Sequence, residues 1–178
     1  MVEGVMAKGQ CLKVLQTKRG YAMWSKHNNV PGRTDTMAER LKTARLIIER
    51  QRVRHADLVY ESQRHSALYT YIPQEPMTLE ALRDRYRFLE AGVSPDGDEH
   101  WLNWIAFCEQ SRRPVATFQA TIPISGQGTI AYSVFPPFWK QGYATELSQS
   151  MLTHIFEHYE PTALSAEIDT LARGAITS

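Results

Sequence analysis

Between Trp101 and Phe135 three apolar runs follow one another with only turn-length breaks, and this limits the chain more than any other stretch. Trp101 to Glu109, Val115 to Ile124 and Thr129 to Phe135 are rich in β-branched and aromatic residues, while Gln110 to Pro114 and Ser125 to Gly128 carry turn chemistry. Connections so short join antiparallel neighbours, so the pattern predicts a three-stranded meander. A strand is expected before it at Arg45 to Glu49, and another after it from Ala163 to Ile168. Helical spacing runs from Ala56 to about Tyr71, ahead of Pro73 and Pro76. A second helix follows, with Thr78 as N-cap, Leu79, Leu82, Tyr86 and Leu89 as its apolar stripe, and Gly92 at the C-cap position. Leu147, Met151, Ile155 and Tyr159 recur every four residues on a third, from about Gly142 to Tyr159. The fold class is α+β, a mixed and mostly antiparallel sheet flanked by helices. Residues 1–40 show no sustained period and read as an irregular extension to a domain over 41–178. Met37, just before regular structure begins, reads equally as an internal methionine or as a start site.

Charge narrows the partners. Residues 1–64 hold 13 Lys/Arg against 6 Asp/Glu, and residues 65–178 hold 7 against 13. The basic half is dispersed and lacks aromatic interleaving, which favours a solvated surface over a nucleic-acid interface. The first forty residues hold one serine, Ser25, and few arginines, which disfavours a mitochondrial presequence. No apolar run reaches the roughly 18 residues of a membrane span. Cys11 and Cys108 form neither a C-x-x-C site nor a disulfide framework, which fits a reducing cytoplasm.

The chemistry concentrates in Phe138-Trp139-Lys140-Gln141-Gly142-Tyr143-Ala144-Thr145-Glu146, between a strand and an amphipathic helix. A helix start presents unpaired N–H groups and the positive end of the dipole, so small residues there let a pyrophosphate approach. Gly142 admits both the anion and an unusual dihedral, Ala144 keeps the next amide open, and Lys140 adds a cation.

Residues 138–146 resemble the coenzyme A loop of the GNAT acetyltransferase superfamily, in the branch that acts on ribosomal-protein N-termini. That branch often reads Tyr-Trp-Gly-Lys-Gly-Tyr-Ala-Thr-Glu here, and this chain matches it at Trp139, Gly142, Tyr143, Ala144, Thr145 and Glu146. Phe138, Lys140 and Gln141 depart from it. Leu41-Lys42-Thr43-Ala44-Arg45-Leu46 is similar to the branch's opening, Trp104-Ile105-Ala106 to its second strand, and Ile130-Ala131-Tyr132-Ser133-Val134 to its fourth. The resemblance implies direct transfer of acetyl from acetyl-CoA to an amine, with no metal and no covalent enzyme intermediate. It implies coenzyme contacts at Lys140, Gln141, Gly142, Tyr143, Ala144 and Thr145, and pantetheine pairing at Val134 and Phe135. It also implies a further helix and two strands beyond strand five, which the last residues, Ala172 to Ser178, do not supply. An open sheet edge is therefore expected, and a non-catalytic acyl-CoA-binding module is the alternative.

The catalytic residues are not assigned. A glutamate commonly begins the branch's fourth strand, but Gly128-Thr129-Ile130 stands here. Glu99, Glu167 and Asp169 lie near strand ends and read first as solvated carboxylates, and Tyr132 reads equally as a packed aromatic. His154-Ile155-Phe156-Glu157-His158 fits the H-x-x-E-H pattern of zinc peptidases, yet no third ligand is apparent and the helix is needed for the core. Cys108 lacks a histidine partner motif and reads as packing.

Overall fold

The computed structural model describes residues 40–69, 75–124 and 126–167, together with the backbone of four short strands nearer the N-terminus. In chain order these four are β1 (Val5–Ala7), β2 (Gln10–Leu12), β3 (Leu15–Gln16) and β4 (Tyr21–Ser25). Then come β5 (Arg40–Lys42), β6 (Leu46–Arg50), α1 (His55–Gln63), α2 (Leu79–Leu89), β7 (Glu99–Cys108), β8 (Pro114–Pro123), β9 (Gln127–Val134), α3 (Tyr143–His158) and β10 (Ala163–Glu167). β1 and β2 pair with each other. The others form one sheet in the order β3-β4-β10-β9-β8-β7-β6-β5.

The expected meander is present. β7 pairs with β8 from Glu99↔Pro123 to Phe107↔Pro114, with a register shift after Ala106, and β8 pairs with β9 from Thr121↔Thr129 to Ala116↔Val134. Among the described strands, only β9 and β10 pair in parallel, joined by the α3 crossover. Thr78 caps α2 as expected, its hydroxyl accepting the Ala81 N–H at 3.2 Å. The first helix stops at Gln63, and a short 3-10 turn, Ser66–Tyr69, takes up residues expected to continue it.

Helices cover both faces of the sheet, because strand side chains alternate. Leu46, Ile48, Trp104, Ala106 and Phe118 are buried with Leu147, Met151 and Ile155 of α3. Ile105 and Phe107 point the other way, into a second cluster with Ala56, Val59, Leu82, Tyr86 and Phe135. A three-layer sandwich results, which is why β6 and the middle of β7 read as continuous apolar runs.

Two expectations need correction at the N-terminal end. Part of the extension read as irregular forms strands, and the sheet edge expected to stay open beyond β10 is covered. Tyr21–Ser25 pairs antiparallel with all of β10, from Ala163↔Ser25 to Glu167↔Tyr21, and β3 pairs in turn with β4. The physical reason is that an apolar strand such as Ala-Leu-Ser-Ala leaves N–H and C=O groups to be paired on each side. Tyr-Ala-Met-Trp-Ser suits that role in composition, but five residues are too short a signal to separate from an irregular segment. The residues expected to carry the loop after strand five lie outside the described ones.

Candidate active site

Among the described residues, the pairing of β9 with β10 runs from Gln127↔Ala163 to Ile130↔Ala166, whereas β8 follows β9 to Val134, which leaves a gap beside the last residues of β9. The Phe135 N–H donates to Val115 O at 2.8 Å, and its carbonyl accepts the Phe138 N–H at 2.9 Å. In an antiparallel ladder successive residues turn their backbone groups to opposite sides, so Ser133 and Phe135 face β8 while Tyr132 and Val134 face the gap. Among the described residues, one group enters this side beyond Ile130: the Trp139 indole Nε1–H donates to Val134 O at 2.6 Å.

Above the gap, the chain turns through the 3-10 segment Pro136–Phe138 into α3. Lys140 has φ +59° and Gly142 φ +76° with ψ 5°, both left-handed. The first rung of α3 is the Glu146 N–H to Gly142 O bond at 3.1 Å. The amides of Tyr143 and Ala144 precede that rung and have no acceptor in the helix, which makes them anion donors. Their side chains stay out of the way. Tyr143 is buried, its ring edge-on to Phe138 at 5.6 Å and its face 4.2 Å from the Arg45 guanidinium. Gln141 turns its amide Nε2 back onto Pro137 O at 2.9 Å, so what it turns to the site is backbone.

Beneath the loop sits Glu146. Its Oε1 accepts the Thr43 hydroxyl at 2.6 Å and the Arg45 N–H at 2.9 Å, and its Oε2 accepts Arg45 Nε at 2.6 Å. Arg45 Nη1 continues to Gln141 O at 2.9 Å. Burial by itself raises the Glu146 pKa, but the hydrogen bonds from Thr43 and Arg45 outweigh it and hold the carboxyl below its ordinary range. Two of the four stretches that carry the family resemblance, 41–46 and 138–146, thus meet in one contact network through Thr43, Arg45, Gln141 and Glu146.

The structure brings Val134, Lys140, Gln141, Gly142, Tyr143, Ala144 and Thr145 to one end of the sheet, around the β9/β10 gap. Phe135 is a correction: it is 1 % exposed, its ring packs under α1 and α2, and both of its backbone groups are engaged. Its place on the gap belongs to Tyr132, one ladder step before Val134. Counting in twos from Val134 would have found it. The Tyr132 ring stacks on Phe118 at 6.4 Å. Glu99 lies at the opposite end of β7 and accepts the Trp101 indole N–H at 2.9 Å. The Glu167 side chain and Asp169 lie outside the described residues.

His154 and His158 lie with ring centroids 4.3 Å apart and planes tilted by 36°, and His154 sits edge-on to Trp104 at 5.9 Å, buried in the α3 core. No group of three or more His, Cys, Asp or Glu among the described residues is placed to hold a metal ion. Nor is any described helix long and apolar enough to cross a membrane. Cys108 is half-buried beside Tyr143. Hydrogen bonding from Ser111 lowers its pKa, with a smaller contribution from Tyr143.

The acetyltransferase (GNAT) domain profile matches residues 45–175, most of the chain. The chain belongs to the GNAT acetyltransferase family. No curated protein matched the sequence. Several solved structures share the fold. A GNAT-family acetyltransferase from Bacillus anthracis superposes with a TM-score of 0.54 at 20% identity, over 68% of this chain and 69% of that one. The ribosomal-protein-S5-alanine acetyltransferase from Vibrio fischeri gives 0.54 at 11% identity, over 66% and 67%. A Salmonella typhimurium acetyltransferase that modifies the N-terminal serine of ribosomal protein L7/L12 gives 0.52 at 16% identity, and there the chain spans 64% of the relative's length. At such identities the likeness is one of fold.

Proposed function

We propose that this chain is an N-acetyltransferase that moves an acetyl group from acetyl-CoA to an amine within a ternary complex in the cytoplasm. The observation that supports this reading most is the presence, at one end of the sheet, of two sets of backbone groups without a partner among the described residues. The amides of Tyr143 and Ala144 lie at the positive end of α3, and the Val134 N–H and the Tyr132 N–H and C=O line the gap that leads away from them. Coenzyme A has matching parts in matching order. Its diphosphate takes the helix amides, and its pantetheine amides pair with the β9 edge as a further strand would.

The thioester then lies in the gap, where an unprotonated amine attacks the carbonyl carbon. The C–N bond forms, the nitrogen gives up one proton, the tetrahedral oxyanion collapses with cleavage of the C–S bond, and the sulfur takes up one proton, so that the coenzyme leaves as thiol. Holding both reactants at contact distance supplies much of the rate, and backbone N–H donors in a low-dielectric gap stabilise the oxyanion. The acceptors to try first are protein α-amino groups, because the Vibrio fischeri and Salmonella typhimurium relatives act on ribosomal proteins. Calorimetry with acetyl-CoA tests binding, and thiol release with ribosomal N-terminal peptides, polyamines and amino acids tests transfer. Saturable binding with thiol release for at least one amine is expected. No binding at millimolar coenzyme would refute the reading, and binding without release would favour an acyl-CoA-binding module.

A further inference from the structure

We propose that Arg45 and Glu146 are positioning residues that fix one peptide plane of the coenzyme loop, a role that rests on the acetyl-CoA reading above. The argument starts from the planar trans peptide between Gln141 and Gly142. In such a unit the C=O and the following N–H point in opposite directions. Arg45 Nη1 holds Gln141 O at 2.9 Å, so the Gly142 N–H is turned away from Arg45. It then joins the Tyr143 and Ala144 amides as a donor at the mouth of α3. This plane is free to rotate by itself, because Gly142 at φ +76° has no Cβ to resist a change of φ. A flip would aim the Gln141 carbonyl at the anion instead.

Glu146 sets where the guanidinium lies. Arg45 alone is a long, 44% exposed side chain with many rotamers, whereas Glu146 is 17% exposed and is itself held by Thr43 and the Arg45 N–H. Nε to Glu146, Nη1 to Gln141 O and the guanidinium face on Tyr143 define one orientation. Lysine keeps the charge but cannot make these contacts together, since it lacks the planar fork.

Arg45→Lys and Glu146→Gln test the role. Both are expected to weaken coenzyme A binding by about tenfold, the scale of one lost charge-assisted hydrogen bond. Both should lower kcat/KM for S-acetylpantetheine, which has the thioester but no diphosphate, by much less than for acetyl-CoA. In the coenzyme-free protein, the NMR order parameter of the Gly142 amide should fall from about 0.85 toward 0.6. Loss in Arg45→Lys alone would mean that the guanidinium touches phosphate directly, and equal loss with both donors would mean that the pair merely holds the fold; either overturns the proposal. So do unchanged affinity and order parameters. If wild-type protein binds no coenzyme, the enzyme reading fails, and the order parameters still decide the positioning role. Thr43→Val, which removes one hydrogen bond from Glu146, replaces Glu146→Gln should that variant not fold.

Discussion

The Trp139 indole N–H donates to the Val134 carbonyl at 2.6 Å, tying the segment between β9 and α3 back onto the last residue of β9. This bond engages the only Val134 group that a pantetheine amide N–H would otherwise use, and leaves the Val134 N–H facing the gap. Trp139 is itself 44% exposed, so its ring is held by this contact more than by burial. Trp139→Phe is expected to cost about 1 kcal/mol of stability, the usual worth of one hydrogen bond. Acetyl-CoA affinity should fall several-fold as the loop loosens. Urea denaturation and calorimetry measure the two, and an unchanged affinity would show that the loop keeps its place without the indole.

Gly142→Glu separates charge from space. A Cβ on Gly142 would meet Arg45 Nη2 at 3.5 Å, an ordinary contact, so there is room for a side chain. The left-handed φ costs about 1 kcal/mol for any residue with a Cβ. A carboxylate at the helix mouth also takes the place of the diphosphate. The variant should fold with a slightly lower thermal midpoint and show no acetyl-CoA binding; normal binding would move the anion site elsewhere.

Lys140 stands where the related loops have glycine, and its φ of +59° gives the physical reason for that glycine. Lys140→Gly should therefore stabilise the protein by roughly 1 kcal/mol, the strain that a side chain bears in this region. It should also weaken coenzyme binding if the ammonium meets a phosphate, with a shallower dependence on salt than the wild type. Chemical denaturation and affinity at two ionic strengths separate the two effects. A destabilised variant would show that Lys140 makes contacts that outweigh the strain.

Most of the sheet and the loop were legible in the sequence because local rules agree with the global fold there. Turn chemistry bounded the meander, Thr78 marked a helix start, and Gly142 marked the left-handed entry to α3. What stayed hidden depends on contacts between distant residues. The network from Thr43 and Arg45 to Glu146 spans about a hundred positions, and its partners read locally as strand-edge and helix-surface polar residues. Phe135 was carried over from the resemblance by its position at the strand end, and the sequence does not show that the ladder to Val115 continues through it. β4 was missed because pairing with β10, rather than any period of its own, makes it a strand.

His154 gives the fold an acid-sensitive point away from the loop. It is 4% exposed, and burial, reinforced by the neighbouring His158, pushes its pKa down from 6.5 to about 4. Its Nε2 is buried with no hydrogen-bond partner among the described residues, so the ring is accommodated in its neutral form. The unfolded chain takes up a proton near pH 6.5 and the folded chain only near pH 4, so protons favour unfolding between these values. Stability from this group is complete above pH 6.5, declines as the pH falls, and levels off below about 4, with a total loss of roughly 3 kcal/mol. Glu146 acts at lower pH: its depressed pKa gives stability that is present above the ordinary glutamate range and lost as the pH falls through the folded value. His154→Phe isolates the first effect, since a phenyl ring keeps the edge-on contact with Trp104 and has no proton to gain. Unfolding free energy from urea titrations between pH 7 and 4 should fall steeply for the wild type and much less for His154→Phe. Parallel slopes for the two proteins would mean that His154 is not the group being protonated.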